Sequence, residues 1–328
     1  MSLWRKELYE TASPCPNMII MMACISGCSE ETKIAKHSSL KIGVLRIDDS
    51  LPLYVAEKDQ LFQKYGVDVE LIEFGSASDQ SKAMEAGELD GMMTDMIVQN
   101  LIKKGGLDVK TIALALGATE KEGRFLVVSS PQSAIVEPKQ LEGQSVMIAE
   151  NTMIDYLMEQ YERHLKLESS QITKIHLPNL SLRVDAVLAG KEAQVAILPE
   201  PLASYAVAQG ANIVIDDTKL GENFSQSVIV MTQKNITKNR AEVKKFLEAY
   251  NEAIKQVNRQ PEKYFELALQ VANVPEILKE QYTVPAFTPN RVPAQENIER
   301  LSDWLVSKGL LEQAFSYEEL VETSLEEQ

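Results

Sequence analysis

The chain has 328 residues, of which 45% are hydrophobic and 25% are charged, and its formal net charge at pH 7 is −15. This length is enough for two ordinary domains with a sizeable core, and the composition is typical of a soluble globular protein. The acidic balance argues against nucleic acid as a partner, because binding to phosphates needs a basic surface. No segment beyond the N-terminal region has the roughly 20 apolar residues that crossing a bilayer requires.

The three cysteines, Cys15, Cys24 and Cys28, all precede residue 30. The remainder of the chain therefore offers no thiol for a disulfide, for a cysteine metal site or for nucleophilic catalysis. We expect no metal and no cofactor in the folded body.

The N-terminal region contains an apolar run, MIIMMACISG (18–27), of about the length of a signal-peptide core. Arg5 and Lys6 supply positive charge upstream, and the run ends in ISGC, which resembles the lipobox of bacterial lipoproteins. We interpret residues 1–28 as a lipoprotein signal peptide, Cys28 as the acylated residue and residues 29–39 as a tether. The alternative is a short N-terminal helix with an incidental cysteine.

The rest of the chain alternates predicted strands and helices, which indicates parallel sheets with short connections. The predicted strands cover residues 41–47, 67–74, 89–94, 109–116, 124–129, 144–149, 174–177, 194–198, 212–215 and 227–232. The predicted helices cover residues 52–65, 76–86, 95–104, 152–166, 182–189, 201–209, 241–259, 261–271, 275–282, 294–308 and 317–324.

Two segments of the sequence are similar to each other. AMEAGELDGMMTD (83–95) and AVLAGKEAQVAILPE (186–200) each contain a helix end, an Ala-Gly stop, a buried strand and a final acidic residue. Chance similarity of one such unit is common, but each copy lies in the middle of its own strand–helix run. Two similar lobes are the simplest interpretation.

Polar residues follow several of the predicted strands. In open parallel sheets, ligands bind beyond the carboxyl ends of the strands, where helix N-termini present free N–H groups. The residues at these positions are Asp48, Ser50, Gly75, Ser76, Thr94, Asp95, Thr119, Glu120, Asn151, Thr152, Pro199 and Glu200. Alternatively, Ser76, Asn151 and Thr152 only cap helices, and the acids are solvated loop charges.

Three stretches resemble the solute-binding proteins of ABC importers, in the nitrate, sulfonate and taurine group that includes thiamine-pyrimidine-synthase-like proteins. They are LPLYVAEKDQLFQKYGVDVEL (51–71), AMEAGELDGMMTD (83–95) and AVLAGKEAQVAILPEPLASYAVAQGA (186–211), within a similarity that covers about residues 40–325. The resemblance implies an α/β, type II periplasmic-binding-protein fold, with two α/β lobes that close on a ligand in the cleft between them. It implies lobe 1 at residues 40–120 and 227–328, lobe 2 at 124–221, and hinge crossings at 119–124 and 221–227.

The same resemblance implies which loops bind the ligand. The expected ligand-binding residues are Arg46, Asp48, Ser50, Leu51, Pro52, Gly75, Ser76, Thr94, Asp95, Thr119, Glu120, Asn151, Thr152 and Glu200.

The expected cleft is acidic, which bears on the class of ligand. Carboxylates at Asp48, Asp95, Glu120 and Glu200 favour a ligand with amine, amidine or hydroxyl donors, such as a pyrimidine-type thiamine precursor stacked on Tyr54, Phe74 or Tyr156. The alternative is a sulfonate or nitrate held by Arg46, the one cation expected nearby. Arg183 is expected to lie on the surface of its helix.

An enzyme on the same fold is the main rival function, of the thiamine- or menaquinone-pathway type. His37, His164 and His176 are the only histidines, and none has an evident nucleophile as partner. A transcription-factor effector domain would need a helix-turn-helix, which residues 1–39 do not supply. We therefore expect a non-enzymatic, extracytoplasmic monomer whose partners are a small molecule and the permease and ATPase subunits of a transporter. Membrane contact is expected only through the lipid anchor, and contact with nucleic acid is not expected.

Overall fold

The computed structural model describes residues 39–191 and 193–325, which form two five-stranded sheets covered by helices. The predicted signal peptide, Cys28 and the tether up to residue 38 lie outside the described residues. Within the described ranges, no helix is both long enough and apolar enough to cross a membrane.

The strands in chain order are β1 (Leu40–Leu45), β2 (Val69–Phe74), β3 (Gly91–Asp95), β4 (Val109–Leu116), β5 (Phe125–Ser129), β6 (Ser145–Ile148), β7 (Thr173–His176), β8 (Val195–Pro199), β9 (Asn212–Asp216) and β10 (Ser227–Thr232). The helices are α1 (Leu51–Lys58), α2 (Leu61–Tyr65), α3 (Ala77–Glu85), α4 (Met96–Lys104), α5 (Met153–His164), α6 (Leu180–Ala189), α7 (Leu202–Ala208), α8 (Gln233–Lys238), α9 (Arg240–Arg259), α10 (Pro261–Val271), α11 (Gln295–Ser307) and α12 (Tyr317–Leu320).

The two sheets have the same plan. The first has the strand order β2-β1-β3-β10-β4 and the second β7-β6-β8-β5-β9. In each, three parallel strands are followed by an antiparallel strand, β10 or β5, and then by a fifth strand. The two similar segments end in β3 and β8, which occupy equivalent central positions. The predicted two-lobed α/β class is confirmed.

The prediction that all strands run parallel is wrong for β5 and β10. Each begins directly after the chain has passed from the other sheet, so it runs away from the edge at which the parallel strands end. Both are almost completely buried runs, FLVVS and SVIVMT. Such runs look the same in sequence whether they pair parallel or antiparallel.

Several helical predictions also differ from the structure, and the predicted helix 317–324 ends at Leu320. The predicted helix 52–65 is interrupted at Gln60, whose φ of 55° turns the chain so that Phe62 stacks on Phe246. The predicted helix 275–282 is only a 3₁₀ turn at Glu276–Leu278, because Tyr282 turns back towards the end of β1. Helix α8 was not expected.

Helix α11 connects the two halves of the molecule. Its Trp304 packs edge-on against Tyr156 of α5, with ring centroids 5.4 Å apart, and its indole N–H donates to Glu159 at 2.8 Å. Lys308, just after α11, contacts Asp155 at 2.9 Å. Residues of α4, α5 and α11 belong to one continuous apolar core, so that the two sheets share a packed interface as well as two chain crossings.

Candidate functional site

Three carboxylates of the first sheet lie together where its parallel strands end. Asp48 and Asp49 form a 3₁₀ turn after β1, and Asp95 is the last residue of β3. The Asp49 carboxylate accepts a hydrogen bond from Ser227, the first residue of β10. Burial raises the pKa of Asp49 and that of Asp95. The nearby Asp49 charge also raises the pKa of Asp95.

The second sheet contributes a carboxylate–guanidinium cluster. Arg124, just before β5, donates to Glu200 at 2.9 Å and to both carboxylate oxygens of Asp216, at 2.8 and 3.2 Å. Although burial opposes it, hydrogen bonding from Arg124 lowers the pKa of Asp216 to about 2. Glu200 also accepts from the backbone N–H and the hydroxyl of Ser204. The cation is therefore already paired twice.

Asp48 is influenced by charged groups of both sheets. Its pKa is raised to about 7, mainly by burial; a hydrogen bond from Tyr282 at 2.5 Å lowers the pKa, and the charges of Asp49 and Glu200 contribute to the rise. Asp48, Asp49, Asp95 and Glu200 nevertheless keep part of their surface accessible. The structure thus brings together Asp48, Asp95 and Glu200 among the residues expected from the sequence.

Several expected ligand-binding residues cap helices. The Ser76 hydroxyl accepts from the Asp79 N–H, and the Thr152 hydroxyl accepts from the Ile154 N–H. The Asp95 Oδ1 accepts from the N–H groups of Ile97 and Val98 at 2.8 and 2.9 Å, which leaves its second oxygen for another partner. Asn151 is in the left-handed region at φ 61° and is exposed.

Other expected residues occupy varied places. Leu51 and Pro52 are buried at the start of α1, where Leu51 joins the core, and Thr94 is 7% exposed. Gly75 and Thr119 are exposed, and Glu120 is half-buried. Ser50 is fully buried, and its hydroxyl has no hydrogen-bond partner among the described residues.

The expectations for three further side chains need correction. Arg46 is exposed and donates to the Gln270 carbonyl of α10, so its guanidinium is engaged outside the carboxylate cluster. Arg183 is completely buried, where it donates to the carbonyls of Leu177, Pro178 and Ile197, and burial lowers its pKa to about 10. Tyr156 lies in the core against Trp304 and cannot stack on a ligand.

Four residues of the cluster were not expected from the sequence: Asp49, Arg124, Asp216 and Tyr282. Arg124 precedes a strand that begins at this edge, whereas the pattern that predicts binding residues is a polar residue after a strand. Among the described residues no group of three His, Cys, Asp or Glu side chains has the arrangement of a metal site, so these carboxylates do not converge as a set of metal ligands.

The raised pKa of Asp48 predicts a pH-dependent stability. An unfolded aspartate titrates near ~3.9, so the folded chain holds an extra proton between that pH and about 7. The stability that this extra proton contributes is complete below pH ~4 and is lost as the pH rises through about 7. We expect the free energy of unfolding of Asp48→Asn, measured with urea at pH 8, to exceed that of the wild type by about 1 kcal/mol after allowance for solvent contact. The difference should be smaller near pH 4.

The matched control is Asp68→Asn, which changes an exposed aspartate. A gain from Asp48→Asn that is independent of pH, or equal to that of the control, would contradict this assignment.

The solved structures that are similar to the chain share its fold. The Escherichia coli periplasmic aliphatic sulphonate binding protein SsuA has a TM-score of 0.73 at 18% identity, over 87% of this chain and 92% of its own. A ligand-binding component of an ABC-type import system from Staphylococcus aureus, with zinc bound, has a TM-score of 0.68 at 16% identity, over 88% of this chain and 97% of its own. The desulfurization enzyme DSZB has a TM-score of 0.64 at 12% identity, over 88% of this chain and 97% of its own. No curated protein matches the chain in sequence.

The two sheets and their facing strand ends define a periplasmic-binding-protein fold. The chain belongs to the NMT1-like family, whose profile matches residues 33–272.

Proposed function

We propose that this protein is the solute-binding component of an ABC importer and captures a small polar organic molecule between its two lobes. The observation that carries the proposal is that accessible acids of both sheets, Asp48 and Glu200, lie near enough for the Glu200 charge to raise the pKa of Asp48. The names of the Escherichia coli and Staphylococcus aureus relatives in structure support a binding role. The transporter's permease and ATPase subunits are then its partners, and the working form is an extracytoplasmic monomer.

We further propose that the lobes comprise residues 40–120 with 227–328, and 124–221, joined by hinges at 119–124 and 221–227. Glu122 accepts from the N–H groups of Gly117 and Ala118 within the first crossing, and Gln226 of the second crossing donates to the Gly117 carbonyl at 3.1 Å, which joins the two. Closure on a ligand would bend the chain about this bonded pair of segments.

The ligand that fits best is a nitrogen-containing molecule with positive charge or several N–H donors, of the pyrimidine-type thiamine-precursor class. Asp48, Asp49 and Asp95 of the first sheet would supply three carboxylates to the cleft, and Arg124 is paired with Glu200 and Asp216. An incoming cation would relieve the mutual repulsion of the acids, whereas an anion would have to displace Arg124 from its partners. The name of the SsuA relative favours a sulfonate as the second candidate, and DSZB shows that the fold also supports an enzyme.

Native mass spectrometry of the freshly purified full-length protein tests the function directly. A co-purified small molecule would identify the ligand, and the mass of the chain would show whether it begins at an acylated Cys28. Adding the identified molecule should raise the melting temperature without turnover. At a hundredfold excess over Kd, the ligand should stabilise the folded protein by about 2.7 kcal/mol. Steady conversion of the molecule to a product would instead establish the enzyme alternative.

Charge-neutralising variants test the ligand class. Glu200→Gln and Asp95→Asn should each weaken binding of an amine ligand by roughly 2–5 kcal/mol, because each removes one partner of a buried charge pair. Asn remains a good helix cap at position 95, and Asp68→Asn serves as the exposed control. Binding by sulfonates and nitrate alone, lost in Arg124→Gln, would replace the amine with the anion.

A further inference from the structure

A groove of about 340 Å³ lies on the first lobe and shares no residue with the carboxylate cluster. Its floor is Ile112 and Ala113 of β4, the edge strand of the first sheet, and α9 forms one wall. Two segments cover the edge of β4 on either side: the Leu114 N–H donates to the Arg291 carbonyl at 2.7 Å, and the Glu322 N–H donates to the Thr111 carbonyl at 2.9 Å. The groove lies between these two segments, and its volume is within the range of roughly 300–1,000 Å³ that is typical of small-molecule sites.

The groove is apolar below and positively charged at its rim. Ile112, Ala113 and Leu325 are each less than 10% exposed, whereas Lys244, Lys255 and Arg291 are exposed beside them. None of these three cations forms an ion pair with any residue that the structure describes. Glu248 is the one carboxylate among the described residues that line the groove. In a chain of net charge −15, three cations without an ion pair among the described residues, around one apolar depression, make a local positive field.

We propose that this groove is a second binding site, for a small organic anion with an apolar body. The apolar part would cover Ile112 and Ala113, which releases ordered water from both surfaces. The anionic head, a carboxylate, sulfonate or phosphate, would lie between the two lysines and Arg291, whose planar guanidinium can bind two oxygens at once. This site is separate from the cleft and opposite to it in charge preference, so it goes beyond the proposed function.

The test uses hexanoate as the probe, with hexan-1-ol as its uncharged counterpart, in a ¹H–¹⁵N NMR titration of the full-length protein. We expect hexanoate to shift the amide signals of Ile112, Ala113 and Leu325, and hexan-1-ol to bind about tenfold more weakly. The double variant Lys244→Glu/Lys255→Glu should bind hexanoate about tenfold more weakly than the wild type. Lys234→Glu/Lys238→Glu is the matched control, since it makes the same charge change on α8, outside the groove, and should bind as the wild type does.

Three results would overturn the proposal. The first is equal hexanoate affinity in the double variant and the wild type, and the second is hexan-1-ol binding as tightly as hexanoate. The third is a set of shifted signals that maps to Asp48, Asp95 and Glu200 instead of the groove. All the substituted lysines are exposed, so the variants should fold, and circular dichroism checks this.

Discussion

Gly117→Ala should destabilise the protein by about 4 kcal/mol, which is a large fraction of the stability of an ordinary domain. Gly117 has a φ of 104°, which L-residues with side chains rarely adopt. A Cβ atom there would overlap the Ser225 carbonyl oxygen and come within 3.1 Å of the Gln226 Cα. Both neighbours are backbone atoms of the returning chain crossing, so neither can move aside without separating the two crossings. The expected cost combines about 1–3 kcal/mol of backbone strain with a similar cost of overpacking.

Gly106→Ala is the matched control. Gly106 has nearly the same φ, 99°, but no heavy atom lies within 4 Å of the place its Cβ would take. It should therefore lose only the backbone-strain part, about 1–2 kcal/mol. Urea unfolding followed by circular dichroism measures both variants. Equal losses would show that the contact between the crossings contributes nothing and that only the backbone angle matters.

Asp155→Asn should cost about 3 kcal/mol, because it breaks a buried ion-pair network between α5 and the end of α11. The Asp155 side chain is fully buried and contacts Lys308 at 2.9 Å and Lys174 at 3.2 Å. Burial alone would raise its pKa, but hydrogen bonds from Lys308 and the Asn151 N–H lower the pKa below its usual value. The stability that ionised Asp155 contributes is present above the unfolded pKa of ~3.9 and is lost as the pH falls through the lower, folded pKa. The cost of the substitution should therefore be complete at pH 7 and shrink below pH ~4.

Glu162→Gln is the informative comparison, since Glu162 is a second buried acid on the same helix. Burial raises the pKa of Glu162, and one of its carboxylate oxygens has no partner among the described residues. Neutralising it at pH 7 should leave the free energy of unfolding unchanged or increase it. If both substitutions destabilised the protein equally, burial of the side chains, and not their pairing with the lysines, would be the source of the effect.

The sequence was sufficient to predict most strands, the two-lobed class and three of the clustered carboxylates. Asp48, Asp95 and Glu200 were found because each follows a recognisable buried strand. Arg124 was missed for a physical reason: β5 runs antiparallel, so it is the residue before the strand that reaches the same edge. The direction in which a buried apolar run pairs is set by the chain crossings, which leave no mark in the local pattern.

Arg183 shows a second limit. Within LSLRVDAVLA it has the appearance of an ordinary helical surface residue. Its partners are backbone carbonyls at Leu177, Pro178 and Ile197, and backbone acceptors have no side-chain identity that a sequence could reveal. Tyr282 is similar, because its hydroxyl reaches Asp48 across 234 positions of the chain. Contacts of this kind depend on how distant elements are folded together.

The position of Trp304 also makes the protein its own optical probe. The sequence has two tryptophans, and the other, Trp4, precedes Cys28. A chain that begins at Cys28 would carry Trp304 as its single indole, 1% exposed, beside Tyr156, Glu159 and the Lys308 ammonium. Its emission would then report on the contact between α5 and α11 without an introduced label. If the lobes close as proposed, an emission that stays constant would show that α11 moves together with α5.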